Sequence, residues 1–388
     1  MTLPSLTPEQ EQELQRILDS GSRPKFNAPQ LGSRLAAEIP VSKGGGQLYA
    51  YRSGCYRSNG RDYFQRRIAS ELGDDWKRFR SDETLGWLMA TARELAETPP
   101  LDLINFRNGI LDLRTGSLEK HTPEFLSPIQ IPVDFDPAAT CPMVDRFLDQ
   151  TLDPDLHELI YEIAGYLLVP DNRLQVAFMF LGAGGNGKST VLELLTALIG
   201  HGNVSATPLH KLDESRFATA SLYGKLANIF SDLDSRALQS SSAFKAITGG
   251  DRLEAERKHG HPFTFKPFSR LLFSANEPPP TPDHTEAFFR RWLIVPFEKT
   301  FKGDKADRHL LAKLTTASEL SGLVNRGLER LPALRERGAF TVSEAATKAA
   351  ERFQVDTDSV AGYLAECTTL DPDGRVEKPK LYPAYRDW

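Results

Sequence analysis

Residues 174–200 read LQVAFMFLGAGGNGKSTVLELLTALIG. Three textures follow one another in this stretch. VAFMFLG is a short apolar run that ends on glycine, as a buried strand does. Residues 182–189, GAGGNGKS, then match the pattern G-x-x-x-x-G-K-[ST] in full. TVLELLTALIG has helical spacing of its apolar residues and stops at Gly200. Glycines let backbone N–H groups converge on phosphate oxygens, and a helix N-terminus adds positive potential. On this reading Gly182, Ala183, Gly184, Gly185, Asn186, Gly187, Lys188, Ser189 and Thr190 form a nucleotide-binding loop. Lys188 reaches the β- and γ-phosphates of ATP, the Ser189 hydroxyl ligates Mg²⁺, and Thr190 supports it.

The same letters satisfy G-x-G-x-x-G at Gly182, Gly184 and Gly187, so a dinucleotide site competes. That alternative needs an acid at the end of a second strand about 20 residues on. The region there reads NVSATPLH, with no acid, and a dinucleotide leaves the Lys188-Ser189 pair unexplained.

Downstream, strand-like runs recur at 226–230, 263–265, 271–274 and 293–296 with helical stretches between some of them. Alternating strands and helices predict an α/β domain with a largely parallel core sheet. A nucleotide hydrolase needs carboxylates at the end of a neighbouring strand, to hold Mg²⁺ and to orient water. Asp232 is the first candidate and Asp234 the second, although Asp234 also suits a helix cap. Asn276 ends the run LLFSAN and can bond a γ-phosphate or the attacking water; turn formation is the competing role. Arg290 and Arg291 precede WLIVPF and can stabilise transition-state charge in a neighbouring copy, or simply lie solvated. Gly260, beside Lys258, His259 and His261, reads as a β-hairpin tip suited to nucleic-acid phosphates. His259 and His261 lack the cysteines or further close ligands of a metal site.

The 388 residues carry a net charge of −5, with 40% hydrophobic and 26% charged residues. That balance excludes a histone-like binder, so DNA contact requires a local basic patch. No apolar run approaches a membrane span, so no membrane partner is expected. No secretory leader is legible, and Cys55, Cys141 and Cys367 lie far apart, which fits a reducing cytoplasm. Thr7-Pro8-Glu9-Gln10 opens a helix that stops near residue 19. Residues 20–47, rich in Pro, Gly and Ser, read as linker with a flexible break at Gly44-Gly45-Gly46. Helices are predicted over 63–72, 82–97, 143–151 and 155–168, hairpins over 104–121, and a helical region from 303 to about 366. Asp153/Asp155 and Asp371/Asp373 read as turn chemistry. LYPAYRDW ends on an apolar helical face, so the natural chain is expected to continue.

GAGGNGKST, SDLD, FKAITGGDRLEAERKHGHPFTFKP, LLFSANEPPP and FFRRWLIVPF resemble, in order, the motifs of superfamily 3 helicases. The branch is that of phage/plasmid and poxvirus primase–helicases, and residues 105–148 resemble the domain preceding the helicase there. The resemblance implies an AAA+-like P-loop ATPase core at 151–302, a mixed α+β N-terminal domain at 48–150 behind a helix and linker at 1–47, and a helical region at 303–388 leading towards a winged helix. It implies an ATP- and Mg²⁺-dependent DNA helicase that translocates 3′→5′ on single-stranded or forked DNA as a hexameric ring, in replication of a phage, plasmid or integrated element. A separate primase or replication initiator is the implied partner, since about 45 residues before the resemblance are too few for a primase. Carried over, Lys188 and Ser189 are Walker A residues, Asp232 (with Asp234) Walker B, Asn276 the sensor, Arg290 or Arg291 the arginine finger, and Lys258 and His259 the DNA-gripping hairpin. Asp-x-Asp at 232–234 departs from the Glu or adjacent acids of many relatives. The alternative function is a DNA-binding P-loop ATPase that loads or remodels a partner without unwinding.

Overall fold

The computed structural model describes residues 12, 25–231, 233, 240–301, 307, 309–357, 359–369, 371 and 374–388. The helix expected at 8–19, Asp232, Asp234 and Asp373 lie outside the described residues. The chain divides into two compact units. One holds the described residues through Lys43 with Gln47–Tyr51 and Arg57–Arg93; the other holds Gly44–Gly46, Arg52–Tyr56 and Glu94–Trp388.

In the first unit, helices α1 (Ala28–Glu38), α2 (Gly60–Leu72) and α3 (Arg78–Thr91) bury Leu31, Leu35, Phe64, Ile68, Leu85 and Leu88 together. The linker expected at 20–47 is corrected here. Asn27 caps α1, its Oδ1 accepting from the Gln30 N–H at 3.0 Å, and Pro29 sits in the first turn. Proline counts towards the linker reading, yet Asn27 and Pro29 together are also what starts a helix. The three glycines are no flexible break. They turn the chain between β1 (Val41–Gly44) and β2 (Gln47–Arg52), with φ of 52° at Gly45 and 73° at Gly46.

The second unit opens with the expected hairpins, β3 (Leu103–Phe106), β4 (Gly109–Asp112) and β5 (Leu118–Glu119), paired antiparallel. Helices α4 (Pro142–Thr151) and α5 (His157–Leu167) follow. Next come β6 (Ala177–Leu181), α6 (Lys188–Ile199), β7 (Val204–Ser205) and β8 (Ala227–Phe230). A hairpin of β9 (Leu253–Glu256) and β10 (Pro262–Phe265) precedes β11 (Arg270–Ala275) and β12 (Trp292–Pro296). The long helix α7 (Ala317–Arg337) and then α8 (Glu344–Thr357) come after.

Five strands form one parallel sheet in the order β12-β6-β11-β8-β7. Successive side chains of a strand point to opposite faces. Phe178 and Phe180 of β6 therefore join the core beneath α4, α5, α6 and α7. Ala177 and Met179 join the opposite core with Phe273, Trp292 and Phe353 of α8. Burial on both faces explains why β6 reads as a continuous apolar run. Arg270, fully buried at the start of β11, donates to the carbonyls of Leu167 at 2.9 Å, Phe268 at 2.9 Å and Asp171 at 3.2 Å. Burial pushes its guanidinium down to about 10. Among the described residues no helix is long and apolar enough to cross a membrane.

Candidate functional site

A parallel sheet gathers the carboxyl ends of its strands on one edge, and ligand sites form there. The glycine loop leaves β6 at that edge. Gly182, Gly185 and Gly187 have φ of 152°, 74° and 94°. A Cβ at Gly182 would stand 2.2 Å from the Phe297 carbonyl oxygen, and one at Gly187 2.6 Å from Thr151 Cγ2. Both backbone conformation and space thus demand glycine.

Ala183, Gly184, Gly185 and Ser189 are exposed, whereas Asn186 and Lys188 are buried. Lys188 opens α6 and folds back over the loop. Its Nζ donates to the Gly182 carbonyl, to the Ala183 carbonyl at 2.8 Å, to Asn186 Oδ1 at 3.1 Å and to Asn276 Oδ1 at 3.4 Å. Burial lowers the pKa of this amine. A buried ammonium, a ring of open backbone and a helix N-terminus with the Ser189 hydroxyl on it suit a phosphate chain and its cation. Thr190, half-buried, is the next residue of α6.

Asn276 directly follows β11, and the structure brings its Oδ1 within reach of the Lys188 ammonium. Ser231 and Leu233, on either side of Asp232, are tied to Ser274 of β11. The Ser231 carbonyl accepts from Ser274 Oγ at 2.5 Å, and the Leu233 N–H donates to the Ser274 carbonyl at 2.9 Å. Sequence reasoning missed the brace behind the loop. Asn186 Nδ2 donates to the Phe297 carbonyl at 3.0 Å, and the Phe301 N–H donates to the Gly185 carbonyl at 2.7 Å. The Phe301–Gly185 bond is backbone to backbone and leaves no residue-type signal, and the partner of the Asn186 side chain lies 111 residues away, beyond any local pattern. It also missed a cleft of about 680 Å³ bounded by Gly182, Ala183, Asn276, Phe297 and α8.

The strand order settles the dinucleotide alternative. In a dinucleotide fold the second strand lies beside the first. Here β6 is flanked by β11 and β12, and β7, the next strand in the chain, is at the far edge. β7 ends at Ser205 without an acid.

Arg290 and Arg291 are not brought to the loop. They precede Trp292, which is level with Ala177, whereas the loop follows Leu181, level with Pro296. Four strand rises of ~3.3 Å put about 13 Å of sheet between the two ends. Arg290 is exposed and, among the described residues, carries no side-chain hydrogen bond or ion pair. Arg291 is half-buried and donates to the Ala287 carbonyl; burial and the Arg290 charge lower its pKa. Lys258 and His259 are exposed at the tip joining β9 to β10, with His259 at φ 63°. The hairpin is steadied by Arg257, whose Nε donates to the Gly45 carbonyl at 2.8 Å, and by Arg216, 2.6 Å from Glu256. Among the described residues no three His, Cys, Asp or Glu side chains cluster to hold a metal ion.

The architecture is a parallel α/β domain with a lysine-bearing glycine loop at its carboxyl edge. Residues 49–153 match a family model described as "D5 N terminal like", and residues 180–291 match one described as "Family of unknown function (DUF5906)". The chain is 26% identical over 213 residues to the protein named "Putative helicase L207/L206" of Acanthamoeba polyphaga mimivirus, covering 51% of this chain and 22% of that one. It is 23% identical over 249 residues to "Putative helicase 022R" of Frog virus 3 (isolate Goorha), covering 58% of this chain and 25% of that one. The chain thus spans a quarter or less of the length of these two curated relatives. The solved structure of the NrS-1 C-terminal region shares the fold at a TM-score of 0.53 and 15% identity, covering 84% of this chain and 75% of that one.

Proposed function

We propose that this chain is the ATP-hydrolysing motor of a DNA helicase of the superfamily 3 type. The observation that carries the reading is the meeting of Lys188 and Asn276 at the glycine loop, at the carboxyl ends of two adjacent parallel strands. Helicase names among the relatives support it. ATP with Mg²⁺ would supply a phosphoanhydride whose cleavage drives motion. The loop amides and Lys188 hold the phosphate chain, Ser189 holds the cation, and Asn276 orients the attack beside the terminal phosphate. Asp232, with Asp234, supplies the carboxylate that holds Mg²⁺ or directs water. Arg290 or Arg291, a sheet's length from its own loop, serves the loop of the next copy, so the working form is a ring, of six copies by the family resemblance. Lys258 and His259 grip one DNA strand, which the ring moves along 3′→5′.

The decisive experiment is DNA-stimulated ATP hydrolysis and strand displacement by the wild-type chain and Lys188→Ala, with circular dichroism as the fold control. Lys188→Ala should lose both activities. Unwinding by that variant would sink the reading. Lys258→Ala should keep basal hydrolysis and lose strand displacement. ATP hydrolysis by the wild type without any strand displacement would favour the alternative of a partner-loading ATPase.

A further inference from the structure

The first unit carries a surface that none of the motifs touches. Its described residues hold eleven Lys and Arg against seven Asp and Glu, in a chain whose net charge is −5. Residues 76–80 read WKRFR, two aromatics interleaved with cations. Large aromatic side chains are mostly buried in folded chains, yet Trp76 is 42% and Phe79 54% exposed. Trp76 precedes α3, its N–H donating to the Gly73 carbonyl at 3.1 Å, and Phe79 lies in the first turn of that helix. Phe79, Glu83 and Trp87 are spaced by four and share one helix face. Glu83 and Trp87 line a shallow groove of about 480 Å³ together with Lys25, Phe26 and Pro29. Arg80 joins Phe79 to that groove. Its guanidinium stands 5.2 Å from the centre of the Phe26 ring and 5.9 Å from that of Phe79, and it donates to the Asp75 carbonyl at 2.7 Å.

Charge and aromaticity together select the ligand. Lys77 is exposed, and the Arg78 side chain, 92% exposed, meets Asp82 only at 3.8 Å. Arg61 approaches the same carboxylate at 3.7 Å. Exposed pairs of this kind contribute little and yield readily to another anion. Asp75 lies 4.0 Å from Arg80, while Asp74 and Glu83 are exposed. Lys25, Arg61, Lys77, Arg78 and Arg80 thus outnumber the four carboxylates around them. The core of a protein–protein interface is depleted of charge, and of lysine in particular. Here Lys77 and Arg78 separate the two exposed rings. Ring faces alternating with cations match a single nucleic-acid strand instead, whose bases stack and whose phosphates take the cations.

We propose that this face of the first unit binds single-stranded nucleic acid, with Trp76 and Phe79 stacking on bases and Lys77 and Arg78 pairing with the flanking phosphates. It belongs to a different unit from the hairpin tip of Lys258 and His259 and does not rest on the role given to that tip. Glu83 keeps the phosphates on the Lys77 and Arg78 side and leaves the groove to the bases.

The test is fluorescence anisotropy of labelled oligothymidylate with the full chain at several salt concentrations, in a Lys258→Ala/His259→Ala background that removes any share of the hairpin. Oligouridylate, run alongside, tells DNA from RNA as the preferred strand. The background chain should bind. Adding Trp76→Ala/Phe79→Ala should weaken binding at least about tenfold, as loss of stacking on two bases implies. Trp76→Phe keeps a ring and should stay within about threefold. Lys77→Ala/Arg78→Ala should flatten the slope of log affinity against log salt by about 0.7 for each cation removed. Glu83→Gln should tighten binding, because it removes a negative charge beside the strand. Absence of binding by the background chain, an unchanged affinity without the two rings, or a loss in Trp76→Phe as large as theirs would overturn the assignment. Weaker binding by Glu83→Gln would overturn it too. Should the ring-free variant lose its far-ultraviolet spectrum, the Lys77/Arg78 variant, altered only at exposed side chains, decides: an unchanged salt slope overturns the assignment.

Discussion

Gly182 shows how a single residue can be required twice. Its φ of 152° is strained for an L side chain, and a Cβ would meet the Phe297 carbonyl. Gly182→Ala should therefore distort the loop while leaving both cores packed; a forced backbone of this kind costs about 1–3 kcal/mol. We expect at least about a tenfold loss of ATP affinity by calorimetry with a near-normal far-ultraviolet spectrum. Cys141 makes a second case. Burial, the Asp145 charge and the bond to Asp145 push its thiol from 9.0 up to about 12. Cys367 is exposed. At pH 8.5 iodoacetamide should label Cys367 on the native protein and reach Cys141 only after unfolding, as peptide mass spectrometry would read. Between pH 9 and 12 the native state holds a proton that the unfolded state has released, so this group's contribution to stability is lost as pH rises through that window.

Between elements, the crossing of α5 and α7 depends on residues without motif value. A Cβ on Gly165 would stand 2.2 Å from the Gly327 carbonyl oxygen, so the two backbones meet directly. Glu162 of α5 is buried and accepts from Arg337, from the Thr341 N–H at 2.7 Å and from Thr341 Oγ1 at 2.7 Å. Glu162→Ala strands the Thr341 N–H and leaves Arg337, whose side chain is two-fifths exposed, to solvent; it should cost about 1–3 kcal/mol in urea unfolding, the penalty of a buried donor left without a partner. An unchanged midpoint would show that α7 is held by its apolar contacts alone. The hairpin of β9 and β10 is the opposite case, because alternation, a Gly260 turn and the flanking cations are all local signals. The linker reading of 20–47 failed at this scale. Leu31 and Leu35 are one turn of amphipathic pattern, too little to outweigh the surrounding Pro, Gly and Ser until α2 and α3 cover them.

For the molecule as a whole, the parallel sheet separates the loop from the arginine pair along the strands. A chain cannot bring both ends of one sheet to one phosphate. Mixing Arg290→Ala protein with Lys188→Ala protein should therefore restore part of the ATPase activity that each lacks alone, measured against the unmixed variants at equal total concentration. No recovery in assemblies shown by native mass spectrometry to contain both variants would place the complete site within one chain.

Local chemistry in the sequence determined the strand–loop–helix of 177–199, the hairpin tip at Lys258 and His259, and the candidate lysine, because glycine spacing and apolar periodicity act over a few residues. Tertiary structure alone decided the strand order that excludes a dinucleotide site, the contact of Lys188 with Asn276, and the placing of α8 against the loop. These depend on which strands pair across long stretches of chain. Such pairing is set by the burial of two opposite sheet faces at once, which no short window of residues encodes.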